Sequence, residues 1–167
     1  WRPERSIALS ESSDGLTWSA PVTCLLFDDS SGWERDVNRP VVLLKDGIYK
    51  MWYTGETDSE SSIGYATSTD GRHFRKVSPK PVVTAGTAWE KKAVQCPHVI
   101  WDETDSLYKM WYSGGEQYEP DAIGYATSKD GINWTKYANN PVFRPDPAMP
   151  WEAAKVTACQ VIKRADD

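Results

Sequence analysis

Short apolar runs alternate with polar, glycine-containing stretches along the whole chain, and no segment carries the period of an amphipathic helix. Val41-Val42-Leu43-Leu44 is an apolar run of the kind shown by a strand buried on both faces. Asp46-Gly47 supplies a tight turn into Ile48-Tyr49-Lys50-Met51-Trp52-Tyr53, where mixed polar and aromatic positions favour β structure. Thr54 to Ser61 is polar and reads as a loop. Ile63 to Ser68 is a third strand, turned by Thr69-Asp70-Gly71, and a weaker fourth runs near His73 to Val77 before Pro79 and Pro81 close it. Four antiparallel strands without a helix predict a blade of a β-propeller.

This unit is repeated. Ser62-Ile63-Gly64-Tyr65-Ala66-Thr67-Ser68-Thr69-Asp70-Gly71-Arg72-His73-Phe74 has counterparts beginning at Ser6 and Ala122. Lys50-Met51-Trp52-Tyr53 returns as Lys109-Met110-Trp111-Tyr112, and Pro21, Pro81 and Pro141 keep a constant interval. Trp33-Glu34, Trp89-Glu90 and Trp151-Glu152 form another set. A tandem array of this period is the signature of a repeat architecture. In each Ser-x-Asp-Gly turn the carboxylate can accept backbone N–H groups, and the glycine takes a positive φ. Asp14, Asp70 and Asp130 are therefore read as structural.

The expected division is a partial blade at 1–33, blades at 34–88 and 89–150, and the start of another at 151–167. Propellers have about four to eight blades, so this chain is expected either to belong to a longer polypeptide or to close its ring with another copy.

Composition narrows the function. Aromatics make up 12% of the 167 residues, too much ring surface for a disordered chain. The net charge of −5, with no Lys/Arg cluster, argues against nucleic acid. No apolar run approaches the roughly 20 residues of a membrane span. Trp1-Arg2-Pro3-Glu4-Arg5 does not read as a signal peptide, and secreted, periplasmic and cytoplasmic settings all stay open. Cys24, Cys96 and Cys159 lack CxxC spacing, and Cys96 and Cys159 fall on neighbouring predicted strands as small buried thiols. No phosphate loop, HExxH or EF-hand spacing is present, so neither metal nor cofactor is expected.

The segments Tyr49-Lys50-Met51-Trp52-Tyr53-Thr54-Gly55, Ile63-Gly64-Tyr65-Ala66-Thr67-Ser68 and Asn140-Pro141-Val142-Phe143 resemble the five-bladed propeller glycosidases. These are glycoside hydrolase family 43 and its relatives in families 32, 68 and 130. The resemblance covers nearly the whole chain and implies an all-β, five-bladed propeller with a sugar pocket at its axis. It implies hydrolysis of furanoside or xyloside side chains of polysaccharides by acid/base chemistry. A carbohydrate-binding propeller without catalysis and a family 130-type phosphorylase are the alternatives. The innermost strands would be 36–41, 93–98 and 155–160. The resemblance places a general acid two residues before a proline on such a strand, where this chain has Asn38 and Gln95. Neither amide can donate a proton as a carboxylic acid does.

Residues unique among the repeats are the better functional candidates. Asp36, opposite Lys92 and Ala154 in the other units, is the candidate catalytic acid. Arg39 and His98 lack repeat partners and are candidates for binding substrate, as is the set Asn38, Gln95 and Thr157 at one register position. Trp33 and Trp89 could stack on a sugar ring, with packing between blades as the alternative. Glu34, Glu90 and Glu152 recur and are read as scaffold.

Overall fold

The repeat builds two four-stranded antiparallel meanders in the computed structural model, which describes residues 5–151 and 154–164. After β1 (Ser6–Leu9) and β2 (Val22–Leu26), the first meander runs β3 (Asp36–Lys45), β4 (Ile48–Glu56), β5 (Ser61–Ser68) and β6 (Arg75–Lys76). The second runs β7 (Ala93–Asp102), β8 (Leu107–Gly115), β9 (Pro120–Ser128) and β10 (Thr135–Lys136). Apart from 3₁₀ turns at Asp29–Ser31 and Ala88–Glu90, the described residues contain no helix. β1 and β2 pair with each other alone, and the meanders join through one parallel pairing, Ser61 with Ala93. The fold is all-β and propeller-like.

The turn chemistry repeats atom for atom. Asp14 Oδ1 accepts the Leu16 and Thr17 amides, Asp70 Oδ1 those of Arg72 and His73, and Asp130 Oδ1 those of Ile132 and Asn133, all at 2.7–2.9 Å. Gly15, Gly71 and Gly131 follow at φ 75°, 73° and 79°. These amides, with the Ser12 hydroxyl, pull the Asp14 carboxyl down to about 2.

Aromatic side chains bind one meander to the next. Trp52, fully buried, donates its indole N–H to the Gly131 carbonyl (2.8 Å) and packs on Tyr65, Tyr108 and Trp134. Around it Ile63, Val83, Val94, Val99 and Met110 form the larger core. A smaller core of Ile7, Cys24, Leu25, Val37, Met51 and Tyr53 joins β1 and β2 to the first meander.

Two expectations are corrected. Val42 and Leu44 are exposed, so β3 alternates instead of being buried on both faces; the β1–β2 pair is too short to cover the outer half of that strand. Residues 155–160 are not a strand. A ladder there needs a following strand to pair with, and none lies beyond it among the described residues. The predicted Glu152 lies outside the described residues.

A polar cluster at the head of the inner strands

A bulge shapes the candidate site. The β3–β4 ladder pairs Asp36 with Glu56, Val37 with Gly55 and Asn38 with Thr54, then slips before Val41 meets Trp52. Arg39 sits in the slip at φ 48°, followed by Pro40. β7 repeats this: Gln95 pairs with Ser113, the register slips, and Cys96 takes φ 51° before Pro97. A non-glycine residue held at positive φ twice in the same place is a built feature, and bulges re-aim side chains.

In β3 the bulge gathers polar groups from both meanders. Arg39 Nη1 donates to Glu56 Oε1 (2.7 Å), Asn38 Oδ1 (3.1 Å) and Gln95 Oε1 (3.3 Å). The Glu56 side chain is 7% exposed and that of Arg39 39%, so the carboxylate is buried while the guanidinium reaches solvent. Losing Arg39 would leave the buried carboxyl group without this donor, a cost of about 1–3 kcal/mol. Gln95 is buried and its amide N–H reaches the Glu116 carbonyl at 3.4 Å. Asn38 is also buried, and its Nδ2 has no hydrogen-bond partner. Such a donor costs about 1–3 kcal/mol until something accepts from it.

The structure thus unites Asn38, Arg39 and Gln95. Asp36 stands beside them, directly across the ladder from Glu56. Arg39 also shares a hollow of about 420 Å³ with His98 and Thr157. The His98 Nε2–H donates to the Val161 carbonyl at 3.0 Å. Thr157 is exposed and touches the second meander through its carbonyl, which accepts from Ser113 Oγ. It does not share the register of Asn38 and Gln95, because its segment forms no ladder.

The two tryptophans are engaged in packing. Trp33 stacks on Tyr53 at 6.1 Å and donates to the Pro79 carbonyl (2.9 Å); Trp89 stacks on Tyr112 at 5.9 Å. Their rings occupy the space that a Cβ would fill at Gly55 and Gly64, and at Gly114 and Gly124. The glutamates after them are buried anchors. Glu34 accepts from Tyr53 (2.9 Å) and Lys76; Glu90 accepts from Tyr112 (2.8 Å), Lys136 (2.6 Å) and the Gly86 and Thr87 amides.

Glu56 was missed by sequence reasoning. Its counterpart after the second Lys-Met-Trp-Tyr motif is Gly115, so the uniqueness test that selects Asp36 also selects Glu56. Its place inside Thr54–Ser61, which reads as a loop, hides it, whereas β4 continues through Glu56.

Two adjoining four-stranded meanders with a polar cluster at the heads of β3 and β7 define a propeller-like module. The chain belongs to the glycosyl hydrolases family 32 N-terminal domain, whose model matches residues 8–161. An uncharacterized protein of Mycobacterium tuberculosis is 31% identical over 80% of this chain, which spans 44% of that relative's length. A 1,2-beta-oligomannan phosphorylase of Thermoanaerobacter is 36% identical over 62% of the chain and 38% of its own length. Among solved structures, a glycosyl hydrolase from Bacteroides ovatus is similar at 31% identity and TM-score 0.55, over 62% of this chain and 32% of that one. Another, from work on family 130 mannoside phosphorylases and hydrolases that target β-1,2 mannosidic linkages, matches at 29% and TM-score 0.55, over 63% and 32%.

Proposed function

We propose that this chain forms part of a five-bladed, carbohydrate-active propeller that acts on glycosidic bonds at the head of β3 and β7. The observation that carries this reading is the Arg39-centred cluster, in which two neighbouring meanders contribute amide and guanidinium groups to one point. Amides and guanidinium N–H groups suit sugar hydroxyls, and the buried Asn38 donor has no protein acceptor to compete with a ligand oxygen. Asp36 and Glu56 are the local carboxylates. Glu56 is held by Arg39, and Asp36 is the acid or base that meets the substrate. Glycoside hydrolysis runs on such a pair.

A phosphorylase reading is favoured by one observation, the 36% identity to an oligomannan phosphorylase. The two readings separate in a single assay. A protein in which this chain's ring is complete, through further blades or a second copy, is incubated with β-1,2-linked mannosides, xylosides and arabinofuranosides, with and without inorganic phosphate. Turnover without phosphate that vanishes in Asp36→Asn supports hydrolysis; strict phosphate dependence supports phosphorolysis. Binding without turnover would leave a carbohydrate-binding role, and neither binding nor turnover would refute the proposal.

A further inference from the structure

Two thiols that the glycan site does not use line one hollow beside it. Cys96 occupies the β7 bulge, where β3 has Arg39. Residues 157–161 lie beside that bulge and run in its direction. Ser113, the ladder partner of Gln95, donates through Oγ to the Thr157 carbonyl (2.5 Å), and His98 holds the Val161 carbonyl. Cys159 lies midway between these contacts and so falls abreast of Cys96 and Pro97. Both cysteines are free, partly buried, and line the hollow that holds Arg39, His98 and Thr157. Burial, followed by the neighbouring Cys96, pushes the Cys159 thiol up; burial does the same to Cys96.

We propose that Cys96 and Cys159 form a redox pair that closes to an intrachain disulfide, tying residues 155–164 to the β7 bulge. A disulfide needs Cα atoms within about 4.4–6.8 Å. The 155–164 segment makes no ladder bonds, so it can settle to that distance without breaking the sheet. The co-reactant is a small-molecule disulfide. One cysteine thiolate attacks it and expels a thiolate, leaving a mixed disulfide on the protein. The second cysteine thiolate attacks the protein-bound sulfur and expels the other half. Two electrons pass to the reagent, and the two thiol protons end on its two released thiols. Because burial raises both thiols, closure is slow at neutral pH and accelerates as pH rises. The cross-link fixes the wall of the hollow that carries Thr157 against the one that carries Arg39 and His98.

The test incubates the full chain with oxidised glutathione, traps remaining thiols by alkylation, and maps the peptides by mass. The expected product has lost two hydrogens, joins Cys96 to Cys159, and leaves Cys24 to be alkylated. Cys24 is the internal control, since its buried Sγ donates to the Ile7 carbonyl in the other core. Cleavage by protease within 155–164 should slow several-fold on oxidation. Cys24→Ser should give the same cross-link, and Cys159→Ser should stop at one glutathione on Cys96. Glutathione retained on both cysteines without a link, a bridge to Cys24, or links only between chains would each overturn the proposal.

Discussion

Glu34 and Glu90 occupy the same place in successive repeats, yet the structure gives them different tasks. Glu90 accepts four hydrogen bonds: the Gly86 and Thr87 amides on Oε2, Lys136 and Tyr112 on Oε1. Burial pushes its carboxyl up, but the bonds from Lys136, Gly86 and Tyr112 outweigh it and hold the group below its ordinary value. Glu34 accepts from Lys76 and Tyr53 and has no such amides, so burial wins and its carboxyl is raised. Replacing each with Gln separates the two. In Glu90→Gln the single acceptor oxygen can keep the amides or Lys136, not both, and the NH₂ faces donors whichever way it turns. One charge-assisted bond is lost and either the two amides or Lys136, which keeps the Thr84 carbonyl, goes without its acceptor, a cost of about 3 kcal/mol. In Glu34→Gln the oxygen faces Lys76, and the NH₂ donates to the Tyr53 hydroxyl, which can rotate to accept. That costs about 1 kcal/mol.

Urea unfolding of the full chain reads the difference of about 2 kcal/mol as a midpoint gap on the order of 1 M, at the slopes usual for small domains. The pH dependence has opposite signs. With its folded pKa lowered, Glu90 stabilises above the ordinary carboxylate range, and that contribution is lost as pH falls through the folded value. With its folded pKa raised, Glu34 contributes fully below its unfolded value and loses that contribution as pH rises through the folded one. The Glu90→Gln penalty should therefore shrink on acidification while the Glu34→Gln penalty does not. Equal midpoint shifts, or a larger one for Glu34→Gln, would refute the reasoning.

Other substitutions test the joints. At Gly64 an added Cβ would meet the Tyr53 ring at 2.3 Å and Trp33 at 2.7 Å; Gly64→Ala should destabilise by about 1–3 kcal/mol in the same urea assay. Trp52→Phe keeps most of the packing and removes one of the two indole donors on the Gly131 carbonyl, which keeps Trp134 Nε1 at 3.0 Å, so it should cost about 1 kcal/mol. A drop in unfolding midpoint together with faster amide exchange at the 128–134 turn would report it. Asp14, held low by the Leu16 and Thr17 amides, should titrate by carboxyl NMR near 2; a midpoint near the free value would mean that turn is not formed.

Much of the fold was legible because the repeat states the same instructions more than once. Asp-Gly turns, aromatic strands and Trp-Glu pairs recur, and the three Asp-Gly turns share one geometry. What was not legible depended on partners distant in sequence. Val42 and Leu44 look buried from their neighbours alone, but burial depends on what covers the face. Residues 155–160 match a strand pattern, yet a strand exists only when it has a ladder partner. At the site, the amides Asn38 and Gln95 were found through their proximity to prolines. The positive φ of Arg39, which turns it onto both, is not visible in the sequence. Glu56 is hidden because Thr54–Ser61 reads as a loop, whose first three residues lie in β4.

The central claim is that the cluster at the head of β3 and β7 reads glycan hydroxyls, and the unpartnered Asn38 amide tests it most directly. Asn38→Ala removes a buried donor that nothing in the protein satisfies, together with the Oδ1 that accepts from Arg39 Nη1, so unfolding stability should fall by no more than about 1 kcal/mol. Calorimetric titration of both proteins with β-1,2-mannobiose, then with xylo- and arabino-oligosaccharides, should show affinity falling about tenfold in the variant, the worth of one good hydrogen bond. Unchanged affinity in a variant as stable as the parent would contradict the account and move the site elsewhere on the chain.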